Sequence, residues 1–321
     1  MRSMRLMLPA ISAGLALSAI ADAQTSTYLA LGDSLAWGYT NAQDALDQAI
    51  AGGSAGDRGY VALYRDFLAS QNGGTEPGLI NLAVPLESTF SFFNAPLPTV
   101  ATNANYGVSI FDVLATDPPA APAGTPTQSQ LLVNAINDEI ANGNDIGWVT
   151  IHLGANDLLG LASDPAFFML DPLSQQQAIN ATIDGIETGV RSVLDTVTTL
   201  AGPAVEISLL GLYDPFAILP SDPRSALGSV ITPLINALYE DLANQYGASF
   251  VDLDAVFTGR EAELTQILTL DGLPGLIPES PNIHPTALGY EVIAQQLIPS
   301  PASVAPLAGL VLVATRRRRA G

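Results

Sequence analysis

The sequence predicts an α/β fold in which helices cover both faces of a parallel five-stranded sheet. Short, nearly continuous apolar segments alternate with longer amphipathic segments, and the alternation runs from residue 27 to residue 297. Strands that are buried on both faces are apolar throughout, and a helical crossover between two such strands makes their pairing parallel. We therefore expect a three-layer α/β/α sandwich.

Five segments have the apolar, β-branched composition of buried strands. They are residues 27–32, 79–84, 147–154, 205–212 and 249–253. Five other segments have the periodicity of amphipathic helices. They are residues 59–71, 129–143, 176–202, 226–247 and 286–297. The stretches 40–57 and 86–127 are expected to be long loops at the carboxyl edge of the sheet, where ligands bind in such folds.

The composition excludes several classes of function. The chain has 321 residues with no cysteine and no lysine, so disulfides, cysteine-bound zinc and a thiol nucleophile are excluded. Residues 24–299 contain five arginines and 30 acidic residues, a charge that repels nucleic acids and anionic membranes. No His, Asp and Glu spacing predicts a metal site, and no cofactor is expected.

The N-terminus has the pattern of a secretory signal peptide. Residues 1–23 have arginine at positions 2 and 5, continue with an apolar run and end in Ala21-Asp22-Ala23, which is typical of a cleavage site. An uncleaved membrane anchor is the alternative, although the apolar run is short for one. Residues 24–298 show no internal repeat and no linker, so we expect a single domain there.

The C-terminus, residues 299–321, has the pattern of an address segment. Pro299-Ser300-Pro301 precedes a short apolar run, and four arginines, Arg316 to Arg319, follow it. This order resembles the PEP-CTERM sorting tails that exosortases process, although the usual first motif of those tails is Pro-Glu-Pro. The resemblance implies an exported protein of a Gram-negative-type bacterium, in the periplasm, on the cell surface or outside the cell. It also implies an exosortase-type partner and a tail that associates only transiently with the membrane.

Two serines are candidate nucleophiles. Ser54 lies in Gly52-Gly53-Ser54-Ala55-Gly56, but the residues before this motif do not have strand character, so a flexible loop is the better interpretation. Ser34 lies where the first predicted strand ends, directly after Gly32 and Asp33. Taken alone, Asp33 and Ser34 could equally cap the next helix.

Four short sequence blocks, which follow one another in the chain, favour Ser34 as a nucleophile over a role in capping alone. They are Gly32-Asp33-Ser34-Leu35, Asn81 with its neighbours, Gly154-Ala155-Asn156-Asp157, and Ile283-His284-Pro285. Together they resemble the SGNH, or GDSL-type, serine hydrolases, and the resemblance extends from about residue 27 to residue 297. It implies a flavodoxin-like order of the five strands and hydrolysis of carboxylic esters.

The resemblance also implies roles for individual residues. Ser34 would be the nucleophile and His284 the general base. The oxyanion would bind to the backbone N–H of Ser34, to the side chain of Asn156 in the block that begins at Gly154, and to a second-block N–H. The family usually has glycine at that second-block position, whereas this chain has Leu86, whose side chain is expected to add bulk beside the acyl pocket.

The last block departs from the family pattern. The family has an aspartate three residues before the histidine, and Pro281 stands there in this chain. Glu279, Asp271 and Asn282 are the candidate replacements for that acid, and a backbone carbonyl, which would leave a Ser–His dyad, is the fourth possibility.

Three further polar residues are expected to have structural roles. His152, the other histidine of the chain, shares a strand face with Gly154 and is expected to be a hydrogen-bonded structural residue. Asp252 and Asp254 follow the fifth predicted strand and are expected in turns or caps.

These observations favour an exported, cofactor-independent serine esterase or lipase. Its partner would be an acyl-ester substrate: a small ester, a lipid ester or an acetylated glycan. The alternative is a catalytically impaired surface protein of the same fold that binds carbohydrate or matrix, which the proline at position 281 favours. An acidic structural protein is disfavoured by the ordered blocks.

Overall fold

The structure is a computed structural model, and it describes residues 26–39, 59–94, 126–268 and 282–298. The predicted signal peptide, the loop at 40–57 with Ser54, most of the loop at 86–127 and the predicted sorting tail lie outside the described residues. The division of the chain into three segments therefore stays a prediction.

The sheet has five strands, and all neighbouring strands are parallel. The strands are β1 Ser26–Gly32, β2 Gly78–Asn81, β3 Asp145–His152, β4 Glu206–Leu210 and β5 Ser249–Val251. Their spatial order is β2-β1-β3-β4-β5, the flavodoxin-like order, so the predicted sheet is confirmed. β2 ends at Asn81, earlier than predicted, although the N–H groups of Leu82 and Val84 still donate to the carbonyls of Ala30 and Gly32.

The long helices lie close to the predicted segments. They are α2 Gly59–Gln71, α4 Gln128–Ala141, α6 Pro172–Ala201, α7 Pro223–Tyr246 and α10 Ala287–Leu297. Within the described ranges, six shorter helices were not predicted as separate elements: α1 Ser34–Trp37, α3 Thr89–Asn94, α5 Ala155–Ala162, a 3₁₀ turn Phe167–Met169, α8 Leu253–Phe257 and α9 Glu261–Leu264. Most of these follow a strand at the carboxyl edge of the sheet.

The two faces of the sheet carry separate apolar cores. Leu29 and Leu31 of β1 pack into a core with α4, α6 and α7, whereas Tyr28 and Ala30 pack into a second core with α1, α2 and α10. Successive side chains of a strand point to opposite faces, so one apolar strand supplies both cores. The three-layer arrangement is thus confirmed.

The strand order determines where a site can form. The direction of the chain across the sheet reverses between β1 and β3, and an open crevice forms at such a switch point. Gly32, the last residue of β1, pairs with His152, the last residue of β3. The segments that follow these two strands therefore begin side by side.

Candidate active site

Ser34 is the first residue of α1 and lies directly after the end of β1. The carboxylate of Asp33 caps the helix, because its Oδ1 accepts the N–H of Leu35 at 2.9 Å. Gly32 has a φ of 137°, and a Cβ at this position would lie 2.1 Å from the carbonyl oxygen of His152. The sharp turn that presents Ser34 therefore requires glycine at position 32.

The backbone of this turn is held by a buried glutamine that the sequence did not single out. The N–H of Gly32 donates to Oε1 of Gln128 at 3.0 Å, and Nε2 of Gln128 donates to the Gly32 carbonyl at 3.1 Å. Nε2 of Gln128 also donates to a carboxylate oxygen of Glu87 at 3.0 Å. No sequence signal distinguishes Gln128, because it lies at the start of an ordinary capped helix.

Asn81 holds the other end of the turn. Its Nδ2 donates to the carbonyl of Ala36 at 2.7 Å, and its Oδ1 accepts the N–H of Ala83 at 3.0 Å. The side chain thus ties α1 to the segment that follows β2, which explains why an asparagine stands in this block.

The structure brings Ser34 and His284 together, although 250 positions separate them in the chain. Nε2 of His284 lies 2.9 Å from Oγ of Ser34, which is hydrogen-bond distance. Tyr39 packs against the imidazole with ring centroids 4.4 Å apart. The hydroxyl of Tyr213 donates to the carbonyl of Ile283 at 2.6 Å and so holds the loop that carries the histidine.

Asn282 contacts the other nitrogen of the same ring. Its Oδ1 lies 2.8 Å from Nδ1 of His284 and also accepts the backbone N–H of His284 at 3.1 Å. Among the three candidate replacements for the missing acid, Asn282 is the one that the described residues place at the ring. Glu279 and Asp271 lie outside the described residues, as does Pro281.

The surroundings favour the neutral form of this histidine. Burial lowers the pKa of His284 to about 4, and the negative charge of Asp33 opposes this change in part. A neutral imidazole whose Nδ1–H is held by an oxygen acceptor leaves Nε2 free to accept a proton. The ring is therefore able to act as a base towards Oγ of Ser34.

Asn156 lines the same cavity as Ser34, near the start of α5. Its Nδ2 donates to the carbonyl of Glu87 at 2.9 Å, which orients the amide. Gly154, before α5, has a φ of 98°, and a Cβ there would lie 2.4 Å from the hydroxyl of Tyr239. Gly154 therefore shapes the turn that places Asn156.

The side chain of Leu86 lies outside the described wall of the cavity beside Ser34. Its side chain is 67% exposed and is not among the described residues that line the cavity beside Ser34. Leu86 has a φ of 68°, in the left-handed region that glycine adopts readily and other residues rarely do. The backbone thus keeps a glycine-like conformation, and the leucine side chain turns outward. Within the described residues this side chain is not part of the cavity wall, and the expectation of added bulk beside the acyl pocket stays a prediction.

His152 is buried and hydrogen-bonded, as predicted, but its partner was not foreseen. Nδ1 of His152 lies 3.0 Å from Oδ1 of Asp33, and both side chains are 1% exposed. His152 also lines the cavity beside Ser34. The prediction for Asp252 is confirmed, since it caps α8 by accepting the N–H of Ala255 at 3.0 Å, whereas Asp254 lies inside that helix.

The cavity beside Ser34 has a mainly apolar wall. The wall is formed by three segments: α5, the loop after β4, and α7. Its lining side chains include Leu158, Leu212, Phe216, Leu227 and Ile231. At its rim the guanidinium of Arg224 lies 4.2 Å from the centre of the Phe216 ring and forms an ion pair with Asp222. Such a wall suits an aliphatic group better than a charged one.

Among residues 26–39, 59–94, 126–268 and 282–298, no three His, Asp or Glu side chains form a group that could hold a metal ion. Over the same part of the chain, no helix combines the length and the apolar character needed to cross a bilayer.

Comparisons with known proteins agree with this arrangement. The structure of the lipase Lip_vut3 from a goat rumen metagenome matches with a TM-score of 0.51 and 18% identity, over 85% of this chain and 96% of that one. The extracellular lipase of Streptomyces rimosus matches with a TM-score of 0.50 and 18% identity, over 85% of this chain and 98% of that one. At such identities the likeness shows the fold.

No curated protein sequence matches the chain. The sequence model of the GDSL-like Lipase/Acylhydrolase family, in contrast, matches residues 30–292, a span that contains Ser34, Asn156 and His284. The chain therefore belongs to the GDSL-like lipase/acylhydrolase family, whose members are hydrolases that act on ester bonds.

Proposed function

We propose that this protein hydrolyses carboxylic esters through an acyl-enzyme on Ser34, with His284 as general base and Asn282 as the residue that orients it. The observation that carries the proposal is the 2.9 Å distance between Nε2 of His284 and Oγ of Ser34. The contact of Asn282 with Nδ1 supports it, because that contact leaves Nε2 unprotonated and directed at the hydroxyl.

The reaction has two balanced halves. Oγ of Ser34 attacks the ester carbonyl, its proton moves to Nε2 of His284, and the tetrahedral intermediate forms. His284 then gives this proton to the leaving alcohol as the C–O bond breaks. In the second half a water molecule attacks the acyl group, again losing its proton to His284, which returns it to Oγ as the acid leaves.

The oxyanion of both intermediates would bind to the backbone N–H of Ser34, the second-block N–H at Leu86 and the side chain of Asn156. The presence of Asn156 and Ser34 on one cavity supports this assignment. Gly154 acts indirectly, because its conformation places Asn156. Donors of this kind typically contribute about a hundredfold or more in rate.

The apolar wall of the cavity supports an aliphatic acyl group as the part of the substrate bound beside Ser34. Small esters, lipid esters and acetylated glycans differ mainly in the length of that group and in the alcohol. A series of p-nitrophenyl esters from acetate to dodecanoate distinguishes short from long acyl groups, since a cavity that binds longer chains lowers KM as the chain grows.

Labelling with a fluorophosphonate tests the nucleophile. We expect the probe to modify Ser34, and we expect Ser34→Ala and His284→Ala to lose hydrolysis of p-nitrophenyl butyrate. Ser54→Ala, in the G-x-S-x-G sequence, is the matched control and should keep both activities. Equal hydrolysis by the wild type and Ser34→Ala would overturn the proposal.

A catalytically impaired binding protein is the second candidate, and the neutral side chain at Nδ1 of His284 favours it. Loss of the orienting carboxylate costs up to about 10⁴ in turnover in serine proteases. Retained binding of an acetylated glycan by a wild-type protein that neither reacts with the probe nor hydrolyses esters would support this candidate.

Export and tail processing are further proposals, supported by the sequence of residues 1–23 and 299–321. We infer a destination in the periplasm, at the cell surface or outside a Gram-negative-type cell, and an exosortase-type enzyme as partner. Mass spectrometry of the protein recovered from such a cell should find neither the first 23 residues nor Arg316 to Arg319. A recovered chain that keeps both ends would contradict these proposals.

A further inference from the structure

Asp33, the residue before Ser34, is a buried carboxylate with an incomplete set of hydrogen bonds. It is 1% exposed, and its Oδ1 accepts from the N–H of Leu35 and from Nδ1 of His152. Its Oδ2 is also buried, yet no described residue donates a hydrogen bond to it. A buried carboxylate oxygen without a donor is rare, and its charge is poorly compensated locally.

His284, in contrast, has no carboxylate in contact with its ring among the described residues. Nδ1 meets the neutral amide of Asn282, and Nε2 meets the hydroxyl of Ser34. Asp33 precedes Ser34, whose Oγ lies 2.9 Å from Nε2 of His284, and both residues line one cavity, so this buried carboxylate is near the ring. Burial lowers the pKa of His284, and the charge of Asp33 opposes that effect in part, which is the direction expected of a nearby anion.

We propose that Asp33 supplies, through space, the negative charge that stabilises the imidazolium of His284 during acyl transfer, and that His152 is the positioning residue that holds this carboxylate. The work of the usual triad acid is then divided between two residues. Asn282 orients the ring through Nδ1, and Asp33, the residue before Ser34, provides the charge. This inference rests on the proposed acyl-enzyme mechanism.

The proton balance of the step involves His284 alone. As the bond between Oγ of Ser34 and the acyl carbon forms, the hydroxyl proton moves to Nε2 and the ring becomes a cation. Asp33 gains and loses no proton; it lowers the free energy of the cation by Coulomb attraction, which is strong in a buried site.

His152 holds the carboxylate of Asp33 in place. Nδ1–H donates to Asp33, and Nε2 of His152 is buried without a hydrogen-bond partner among the described residues. The contact with His152 therefore holds the carboxylate of Asp33 at the end of β1, directly before Ser34.

Other titratable groups share the field of Asp33. Its charge raises the pKa of the carboxyl groups of Glu87 and Asp157, for which burial is the larger cause. Burial, and to a smaller extent the charge of Asp33, raises the pKa of four buried tyrosines, Tyr60, Tyr213, Tyr239 and Tyr290. These tyrosines are neutral at physiological pH and therefore add no charge that competes with that of Asp33.

The test is Asp33→Asn, which keeps an oxygen for Leu35 and His152 but removes the charge. We expect kcat to fall by about 10- to 100-fold with KM nearly unchanged, and the rising limb of the pH–rate profile to move down by about one pH unit. The direction follows from the sign of the charge, since losing a nearby anion lowers the pKa of His284. A residue that only supported the turn would reduce activity without moving the limb.

Two further variants complete the experiment. Adding Asn282→Asp to Asp33→Asn returns a carboxylate to the ring and should move the limb back up while restoring at least about tenfold in kcat. His152→Gln keeps a donor for Asp33 and should retain more activity than His152→Leu, which should lose about tenfold.

The outcomes separate this inference from the proposed function. Fluorophosphonate labelling of Ser34 in Asp33→Asn shows that the variant is folded and the nucleophile intact. If the rising limb of the pH–rate profile of Asp33→Asn stays at the wild-type pH, the proposed role of Asp33 is wrong, whereas the acyl-enzyme mechanism is unaffected. If Asp33→Asn does not fold, equal activity of His152→Leu and His152→Gln would count against the inference on its own.

Discussion

Oδ1 of Asn282 lies 2.8 Å from Nδ1 of His284, where an amide and not a carboxylate contacts the ring. The same oxygen accepts the backbone N–H of His284, so the side chain and the loop are fixed by one acceptor. An amide oxygen can hold the Nδ1–H tautomer, but it brings no charge to stabilise an imidazolium. Orientation and charge are therefore separate properties at this site.

Asn282→Asp should make His284 a stronger base. A carboxylate in contact with Nδ1 raises the pKa of a histidine by about one to three units, so the rising limb of the pH–rate profile should move to higher pH. We expect kcat on the plateau to increase. Asn282→Leu, which removes the acceptor, is the comparison and should lose at least about tenfold. Identical profiles for Asn282→Asp and the wild type would show that the amide contact is not part of the catalytic geometry.

Asn156→Ala should reduce kcat by about 10²- to 10³-fold while changing KM little, because an oxyanion donor acts mainly in the transition state. Steady-state kinetics with p-nitrophenyl butyrate measure both constants. Asn180→Ala, at an exposed position of α6, is the matched control and should keep wild-type activity. A rise in KM with unchanged kcat would instead assign Asn156 to substrate binding.

Glu87→Gln should remove a pH dependence of stability. Burial raises the pKa of Glu87 from 4.5 to about 7, so the folded state binds this proton more tightly than the unfolded state. The corresponding stability is fully present below pH 4.5 and is lost as the pH rises to about 7. Above pH 7 the variant should be more stable than the wild type by up to about 3 kcal/mol, with little difference near pH 4.

Urea denaturation of both proteins across this pH range measures the difference for Glu87. A glutamine side chain at position 87 can also form hydrogen bonds with Gln128 and Ser91, so the fold should tolerate Glu87→Gln. A difference in unfolding free energy that is the same at pH 4 and pH 8 would refute the predicted linkage.

Gly154→Ala should lower the free energy of unfolding by at least about 2 kcal/mol, since it combines a φ of 98° with a Cβ placed 2.4 Å from the hydroxyl of Tyr239. Gly160→Ala, in α5 itself, is the matched control. A Cβ at Gly160 meets no atom within 4 Å, so alanine there should stabilise the helix by about 0.5–1 kcal/mol. Thermal or urea unfolding measures both, and equal effects would contradict the packing argument.

The sequence by itself determined the layers of the fold and most of the residues that meet in the site. Apolar strands and amphipathic helices have different periods, so β1, β3 and the five long helices are visible without coordinates. Ser34, Asn156 and His284 each follow a strand end or precede a helix within a recognisable sequence block, which is why the sequence predicts them as site residues. Parallel strands end at one edge, which made their convergence predictable.

Tertiary structure alone decided the contacts made by side chains from distant parts of the chain. Asn282 was one of three candidates until its oxygen was found at Nδ1 of His284, and Glu87 and Gln128 carried no signal at all. Asp33 and His152 are 119 residues apart, and their pairing depends on the register in which Gly32 faces His152. Local periodicity reports which face of an element is buried. The hydrogen-bond partner of a buried polar group depends on how the elements pack. A sequence pattern does not report the distance between two side chains that are far apart in the chain.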